Sequence, residues 1–255
     1  MLVFICGAAV SSALAFAAAR RFGTHNEIIL DILAFVLPLS EIWKQLLLTW
    51  EGGGAYQWWY LPFQLCSMPL YLLPARQILI HLGKREAPLE NPGCSASAKA
   101  SKYGGAVRLI SDFLVDFGLL GGLFAFADQS GMHYRLRVLT VHSYLWHFTM
   151  IFLGLYLIFS GRHSRTYRSY PRPAALFLVL AAAAEGINAL CHSFGEINMF
   201  YISPWEPVTQ IILSDIASYI GVPAEIALYL ILILTGGFLI HAAASIYVST
   251  WNKIP

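Results

Sequence analysis

Several ionisable side chains interrupt long apolar runs of this sequence, where a charge is unusual and therefore informative. On insertion scales a charged side chain at the centre of a bilayer raises the free energy by about 3 kcal/mol. Each group must therefore face other helices or water, where carboxylates, imidazoles and ammonium groups can transfer protons or bind polar ligands. They include Glu41, Lys44, Asp112, Asp116, His142, His147 and Glu185.

The composition shows what surrounds these groups. Of 255 residues, 58% are hydrophobic and only 12% are charged. A chain this apolar cannot cover a water-facing surface, which excludes a soluble globular enzyme and also a disordered protein. The net charge of +2 is too small to indicate a nucleic-acid partner. We therefore expect an integral membrane protein whose main partner is the lipid bilayer.

Apolar runs long enough to cross a bilayer predict an all-α, polytopic transmembrane helical bundle of about seven spans. We expect one transmembrane domain over residues 1–255. The predicted spans cover about 2–19, 28–48, 58–82, 106–127, 138–160, 174–191 and 223–247.

The basic residues predict the orientation of the bundle. Arginines and lysines follow the first, third, fifth and seventh spans, beginning with Arg20 and Arg21. The positive-inside rule then places the N-terminus outside and the C-terminus in the cytoplasm of a multi-pass cell-membrane protein. Because Arg20 and Arg21 follow the first apolar run, we expect residues 2–19 to be an anchor rather than a cleaved signal peptide.

With this orientation, several polar side chains fall at similar depths in the outer leaflet. Cys66 lies roughly 12 Å below the outer surface, from the rise of a helix. We predict that an outer-facing polar cavity collects these residues. They are Glu41, Cys66, His142, His147, Glu185 and Asn198.

Some of these groups have simpler explanations. Glu41 and Lys44 are spaced i,i+3 and can neutralise each other. Asp112 and Asp116 share a helix face, which suits either a proton or cation relay or pairing with the basic residues Arg76, Arg108 and Lys102. No cysteine or histidine has zinc-site spacing, so we expect neither a metal nor a cofactor.

The third span, WWYLPFQLCSMPLYLLPARQ, is the least regular. Pro69 and Pro74 cannot donate to the carbonyl groups of Leu65 and Leu70, which predicts kinks and free acceptors beside Cys66. Irregular backbone at this depth is tolerated where it lines a cavity, and Gln64 lies next to it.

Four short segments resemble the YwaF-type bacterial integral membrane proteins over about residues 30–201. They are SEI at 40–42, LPFQLCS at 61–67, HFTMIFLGLYLIF from His147, and NMFY at 198–201. The YwaF family is distantly similar to eukaryotic multispan lipid acyltransferases and androgen-induced fatty-acid-ester hydrolases. In those relatives a Cys or Thr nucleophile in an early span works with a later His, which on this chain implies Cys66 and His147. The YwaF family usually has a His where this chain has Gln64.

Two classes of function follow. In an intramembrane lipid acyl hydrolase or acyltransferase, Cys66 attacks an ester and His147 is the base. Glu41 or Glu185 would orient the imidazole, and Gln64 or Asn198 would donate to the oxyanion. In the alternative, a non-enzymatic transporter or binding protein, the cavity would hold a small polar ligand or a lipid among Glu41, Lys44, His147 and Glu185.

Overall fold

The computed structural model describes residues 2–23, 26–86, 103–206 and 211–251, where helix is the only regular secondary structure. This confirms the predicted all-α class. The helices in these ranges are α1 (Leu2–Phe22), α2 (Ile28–Glu51), α3 (Pro69–Glu86), α4 (Gly104–Phe113), α5 (Leu119–Phe124), α6 (Arg137–Phe159), α7 (Pro171–Cys191), α8 (Ile211–Ile220) and α9 (Val222–Trp251).

Five helices in the described ranges are long and apolar enough to cross a membrane, and they match predicted spans one, two, five, six and seven. Their outward faces carry large apolar side chains, such as Leu46, which is 67% exposed, and Leu190, which is 76% exposed. So much exposed apolar surface suits lipid rather than water. The segments with this length and hydropathy are Leu2–Phe22, Ile28–Glu51, Arg137–Phe159, Tyr167–Cys191 and Val222–Thr250.

The third predicted span does not begin as a helix. Residues 58–68 contain two 3-10 turns, Trp58–Tyr60 and Leu65–Ser67, and α3 begins only at Pro69. The predicted kink at Pro69 is therefore wrong, because proline is favoured at the first position of a helix, where no N–H group needs a partner. Pro74 lies inside α3, as expected.

The fourth predicted span is continuous but irregular. α4 passes directly into a π-helical turn, Leu114–Gly118, which passes into α5. A π turn fits one extra residue into the helix and is frequent at functional sites. The turn contains Asp116, whose side chain is fully buried.

Contacts between the connections show that the chain alternates between two ends of the bundle. At one end, which we call the Cys66 end, Gln45 donates to the Tyr60 carbonyl and the rings of Tyr60 and Tyr134 lie 5.6 Å apart. At the other, the Glu27 end, Arg162 donates to Glu27. The predicted orientation would put the Cys66 end outside.

Candidate active site

Cys66 lies in the unwound segment before α3, in the 3-10 turn Leu65–Ser67. Its main-chain carbonyl accepts a hydrogen bond from the Nε1 of Trp146 on α6, over 3.1 Å. Trp146 is buried and precedes His147 in the chain. The cysteine segment and the helix that carries the predicted histidine are thus joined directly.

At two adjacent glycines, α5 packs against both segments. A Cβ at Gly121 would lie 3.5 Å from the Cα and N of Cys66. A Cβ at Gly122 would lie 3.2 Å from the His147 carbonyl oxygen and 2.9 Å from the Met150 Cβ. Two consecutive residues of α5 therefore contact the main chains of Cys66 and His147, one residue each.

His147 is buried, and its Nδ1 lies 2.7 Å from the carbonyl oxygen of Ser143, one turn earlier on α6. Because a carbonyl oxygen only accepts hydrogen bonds, Nδ1 carries the proton in this bond. The neutral ring then presents an unprotonated Nε2, which is the form that a general base requires.

His142 has a different environment from His147. Its ring lies 5.6 Å from the Trp43 ring and 5.9 Å from the Trp146 ring. Both of its ring nitrogens are buried and lack a hydrogen-bond partner within the described part of the chain. His147 is thus the histidine whose ring orientation is fixed by a hydrogen bond.

Glu41 forms an ion pair with Lys44 over 2.8 Å, as their spacing predicts. Gln45 donates through Nε2 to Glu41 and also to the Tyr60 carbonyl, both over 2.7 Å. This ties the ion pair on α2 to the segment that leads to Cys66. The Lys44 charge is close enough to interact electrostatically with Cys66 and His147.

An open groove of about 980 Å³ lies between α2 and α3. Glu41 and Gln45 line it beside mostly apolar residues. Among these, Leu46 and Trp50 are 67% and 72% exposed on the outward face of α2. The groove therefore opens sideways, toward the surface that faces lipid. Its other lining residues are Pro38, Ile42, Thr49, Gly53, Gly54, Pro62, Leu70 and Tyr71.

The side chain of Gln64 forms hydrogen bonds with main-chain groups rather than facing an open cavity. Its Nε2 donates to the Asn198 carbonyl over 2.8 Å, and its Oε1 accepts from the Phe200 N–H over 2.9 Å. Asn188 on α7 makes a similar pair of bonds with the N–H and carbonyl of Met199, over 2.7 and 3.1 Å. Two amide side chains from separate elements thus hold one short loop.

Asn198 is fully buried inside the same loop. Its Nδ2 donates to the Glu206 carbonyl, and its Oδ1 accepts from the Ser203 N–H. Phe200 and Tyr201 both have a φ of 58°, a left-handed conformation that side chains rarely adopt. The amide groups of Gln64, Asn188 and Asn198 hold this strained loop in place.

Glu185 lies on α7, away from the groove lining. Its Oε2 accepts a hydrogen bond from Asn188 over 3.3 Å. Glu41, His147 and Glu185 each bond to a neighbour on their own helix. A cavity shared by all three therefore remains a prediction.

Sequence reasoning missed several polar residues near Cys66. Tyr134 and Tyr229 both interact electrostatically with Cys66, and Tyr229 also with Glu225. Burial raises the pKa of Tyr134, which lies in the connection before α6, so its hydroxyl stays protonated at neutral pH. Glu225 is fully buried, and both of its carboxylate oxygens lack a hydrogen-bond partner within the described ranges. An acid within an apolar run was the signal that could have found it.

No curated protein and no solved structure matches this chain. A family model described as TMEM164 family matches residues 1–236. This confirms a multispan membrane family, whereas the YwaF name and the similarity to acyltransferases stay predictions. Because the match covers most of its 255 residues, the chain belongs to the TMEM164 family.

Proposed function

We propose that this protein is an intramembrane lipid acyl-transfer enzyme in which Cys66 is the nucleophile and His147 the general base. The observation that carries the proposal is the hydrogen bond from Trp146 to the Cys66 carbonyl, which holds α6 against the cysteine segment. The glycine pair of α5 supports it, because Gly121 contacts Cys66 and Gly122 contacts the His147 main chain.

The reaction proceeds in two steps. His147 Nε2 takes the proton of the Cys66 thiol, and Sγ attacks the carbonyl carbon of a lipid ester. The ester C–O bond breaks, the departing alcohol takes the proton from His147, and Cys66 holds the acyl group as a thioester. A second lipid alcohol, or water, then attacks the thioester and passes its proton through His147 to the sulfur.

Neighbouring groups supply the remaining roles. The Ser143 carbonyl orients His147, which replaces the expected contribution of Glu41 or Glu185. Gln64 and Asn198 use their amide N–H groups to bond main-chain carbonyls, which argues against the expected donation from either residue to the oxyanion. The Lys44 ammonium is placed to attract the Cys66 thiolate.

The groove between α2 and α3 would admit the substrate. Its apolar lining suits an acyl chain, and it opens on the lipid-facing side of α2. We place the enzyme in the cell membrane with the Cys66 end outside, which makes phospholipids of the outer leaflet its substrate class.

The test is lipid turnover by purified protein in liposomes that contain a phospholipid with a labelled acyl chain and a lysophospholipid acceptor. We expect labelled free fatty acid or labelled diacyl product. Turnover should fall about 10²–10⁴-fold in His147→Gln and further in Cys66→Ala. A labelled acyl adduct on Cys66 that hydroxylamine removes would identify the thioester.

Cys6→Ser is the matched control, because Cys6 is an exposed thiol on α1. It should retain wild-type turnover. Equal turnover in wild type and Cys66→Ala, or no acyl product from the folded wild type, would overturn the proposal.

A non-enzymatic binding protein or transporter is the second candidate. The observation that favours it is the groove itself, in which Glu41 and Gln45 face an apolar volume of about 980 Å³. In this case the protein would retain a phospholipid through purification and release no acyl product. Replacement of Glu41 by Gln would then weaken lipid retention or flux while Cys66→Ala changed neither.

A further inference from the structure

A second buried polar cluster lies toward the Glu27 end of the bundle, apart from Cys66. Asp116, His163 and His241 are all fully buried. One ligand atom from each lies within 4.8 Å of the other two. The spacing of cysteines and histidines in the sequence gave no sign of this cluster, because its members come from three separate elements.

These elements converge from distant parts of the chain. Asp116 belongs to the π turn Leu114–Gly118, His163 follows the end of α6, and His241 lies in α9. The extra residue of a π turn changes the face to which the following side chains point, and such turns are frequent at functional sites.

The distances suit a tetrahedral metal ion. His163 Nε2 lies 3.2 Å from His241 Nδ1 and 3.3 Å from Asp116 Oδ1. Ligands bound to zinc at about 2.0–2.1 Å in a tetrahedron are about 3.3–3.4 Å apart. The contact of 2.7 Å between His241 Nδ1 and Asp116 Oδ2 is shorter and would open slightly around an ion.

The other nitrogen of His241 has the partners expected of a metal ligand. Its Nε2 lies 3.0 Å from the Ser169 Oγ and 3.3 Å from the Thr166 carbonyl oxygen. A metal-bound histidine usually donates its second N–H to an oxygen of this kind. With the proton on Nε2, the lone pair of Nδ1 points at Asp116, an arrangement that a bound cation would satisfy.

Charge balance leads to the same conclusion. Asp112 lies beside the cluster, with Oδ1 3.8 Å from His163 Nε2, and accepts hydrogen bonds from the N–H and Oγ of Ser164. Two buried carboxylates are thus four residues apart. Within the described part of the chain, neither forms an ion pair with a lysine or arginine.

Of the basic partners suggested by the sequence, Arg108 is exposed and forms no ion pair with either carboxylate in the described part of the chain. Arg76 bonds to Glu27 and Ser111, so its predicted pairing with Asp112 or Asp116 is wrong. Lys102 lies outside the described residues. A divalent cation bound by Asp116, with Asp112 beside it, would balance two carboxylates that are otherwise expensive to bury.

We propose that Asp116, His163 and His241 bind a divalent transition-metal ion, with zinc as the preferred ion. The three side chains are fully buried, and the fourth position of a tetrahedral ion falls to the neighbouring Asp112 or to a water molecule. The ion would join the π turn, the connection after α6, and α9, and so stabilise this half of the bundle. This metal site does not depend on the proposed acyl transfer.

Metal analysis of the wild-type protein tests this directly. The protein is purified without chelators, its affinity tag is removed, and its metal content is measured by mass spectrometry. We expect about one zinc ion, or one other divalent transition-metal ion, per chain. A chelator should then lower the melting temperature in detergent, and added Zn²⁺ should restore it.

Variants locate the ion. Asp116→Asn and His241→Ala should lose both the bound metal and the response of the melting temperature to Zn²⁺. His81→Ala is the matched control, because His81 is an exposed histidine paired with Asp31, and it should keep both. If the folded wild-type protein carries less than a tenth of the stoichiometric metal and added Zn²⁺ does not shift its melting temperature, the cluster is a proton-linked His–Asp network and the proposal fails.

Discussion

The indole N–H of Trp146 donates to the main-chain carbonyl of Cys66 across 3.1 Å. The donor comes from a regular helix and the acceptor from an unwound segment. Turn hydrogen bonds within the unwound segment, such as that from the Ser67 N–H to the Gln64 carbonyl, shape it locally. The bond from α6 adds a direct link between Cys66 and Trp146, the residue that precedes His147.

Replacing Trp146 by Phe should disturb the position of Cys66 without unfolding the protein. The change retains most of the apolar ring but leaves a buried carbonyl unsatisfied, which costs about 1–3 kcal/mol. We expect a melting temperature a few degrees lower, at least tenfold slower acyl turnover, and a changed rate of Cys66 alkylation. Trp43→Phe is the control. Unchanged turnover and alkylation in Trp146→Phe would show that the bond does not position Cys66.

Gly122→Ala should destabilise the contact between α5 and α6. The added methyl group would lie 2.9 Å from the Met150 Cβ and 3.2 Å from the His147 carbonyl oxygen. Overpacking of this kind costs about 1–3 kcal/mol, which thermal unfolding in detergent can measure. Gly186→Ala is the control, because a Cβ at this helical position meets nothing within 4 Å. Equal melting temperatures for the two variants would contradict the packing described.

The stability of the Glu27 end should depend on acidic pH. Burial opposes ionisation of Glu27, but Arg76 and Arg162, at 2.8 and 3.1 Å, outweigh it and lower its pKa below the usual 4.5. A lowered pKa in the folded state gives stability that is complete above the unfolded pKa. That stability is lost as the pH falls below about 4.5 and through the folded value.

Melting temperatures measured from pH 7 to pH 3 check this expectation. Glu27→Gln should be destabilised at neutral pH by about 3–5 kcal/mol, because two buried guanidinium groups lose their counterion. It should also show a weaker pH dependence than wild type. Glu196→Gln changes an exposed carboxylate and should leave the profile unaltered. If Glu27→Gln showed the same pH dependence of the melting temperature as wild type, Glu27 would not be its source.

Gln64→Glu should loosen the loop that contains Asn198 and Phe200. The carboxylate can still accept from the Phe200 N–H, but its second oxygen would face the Asn198 carbonyl, to which Gln64 now donates. Loss of one buried hydrogen bond together with this repulsion should cost about 1–3 kcal/mol. Faster proteolysis within residues 195–206 and a lower melting temperature would support the role. Wild-type behaviour in both measurements would contradict it.

The sequence was most informative where a local pattern determines the structure. Apolar runs located the five long helices to within a few residues of their ends. The i,i+3 spacing predicted the pair of Glu41 and Lys44. Pro69 was misjudged because a proline within an apolar run has the same appearance whether it kinks a helix or begins one.

The residue contacts between helices could not be predicted in this way. Depth in the membrane suggests that Cys66 and His147 lie at one level, but it does not show which faces meet. His163 and His241 are isolated histidines 78 positions apart, and only the folded arrangement brings them to Asp116. Tyr134 gave no signal, since an aromatic residue before a span normally belongs to the interfacial belt.

The sideways opening between α2 and α3 has a kinetic consequence. A ligand that enters there diffuses laterally within one leaflet and never crosses water. Occupancy then follows the mole fraction of that lipid in the leaflet, and diluting the vesicles at fixed composition should leave it unchanged. Enriching the same leaflet with an inert lipid should lower the occupancy of the groove. This behaviour is known as surface dilution.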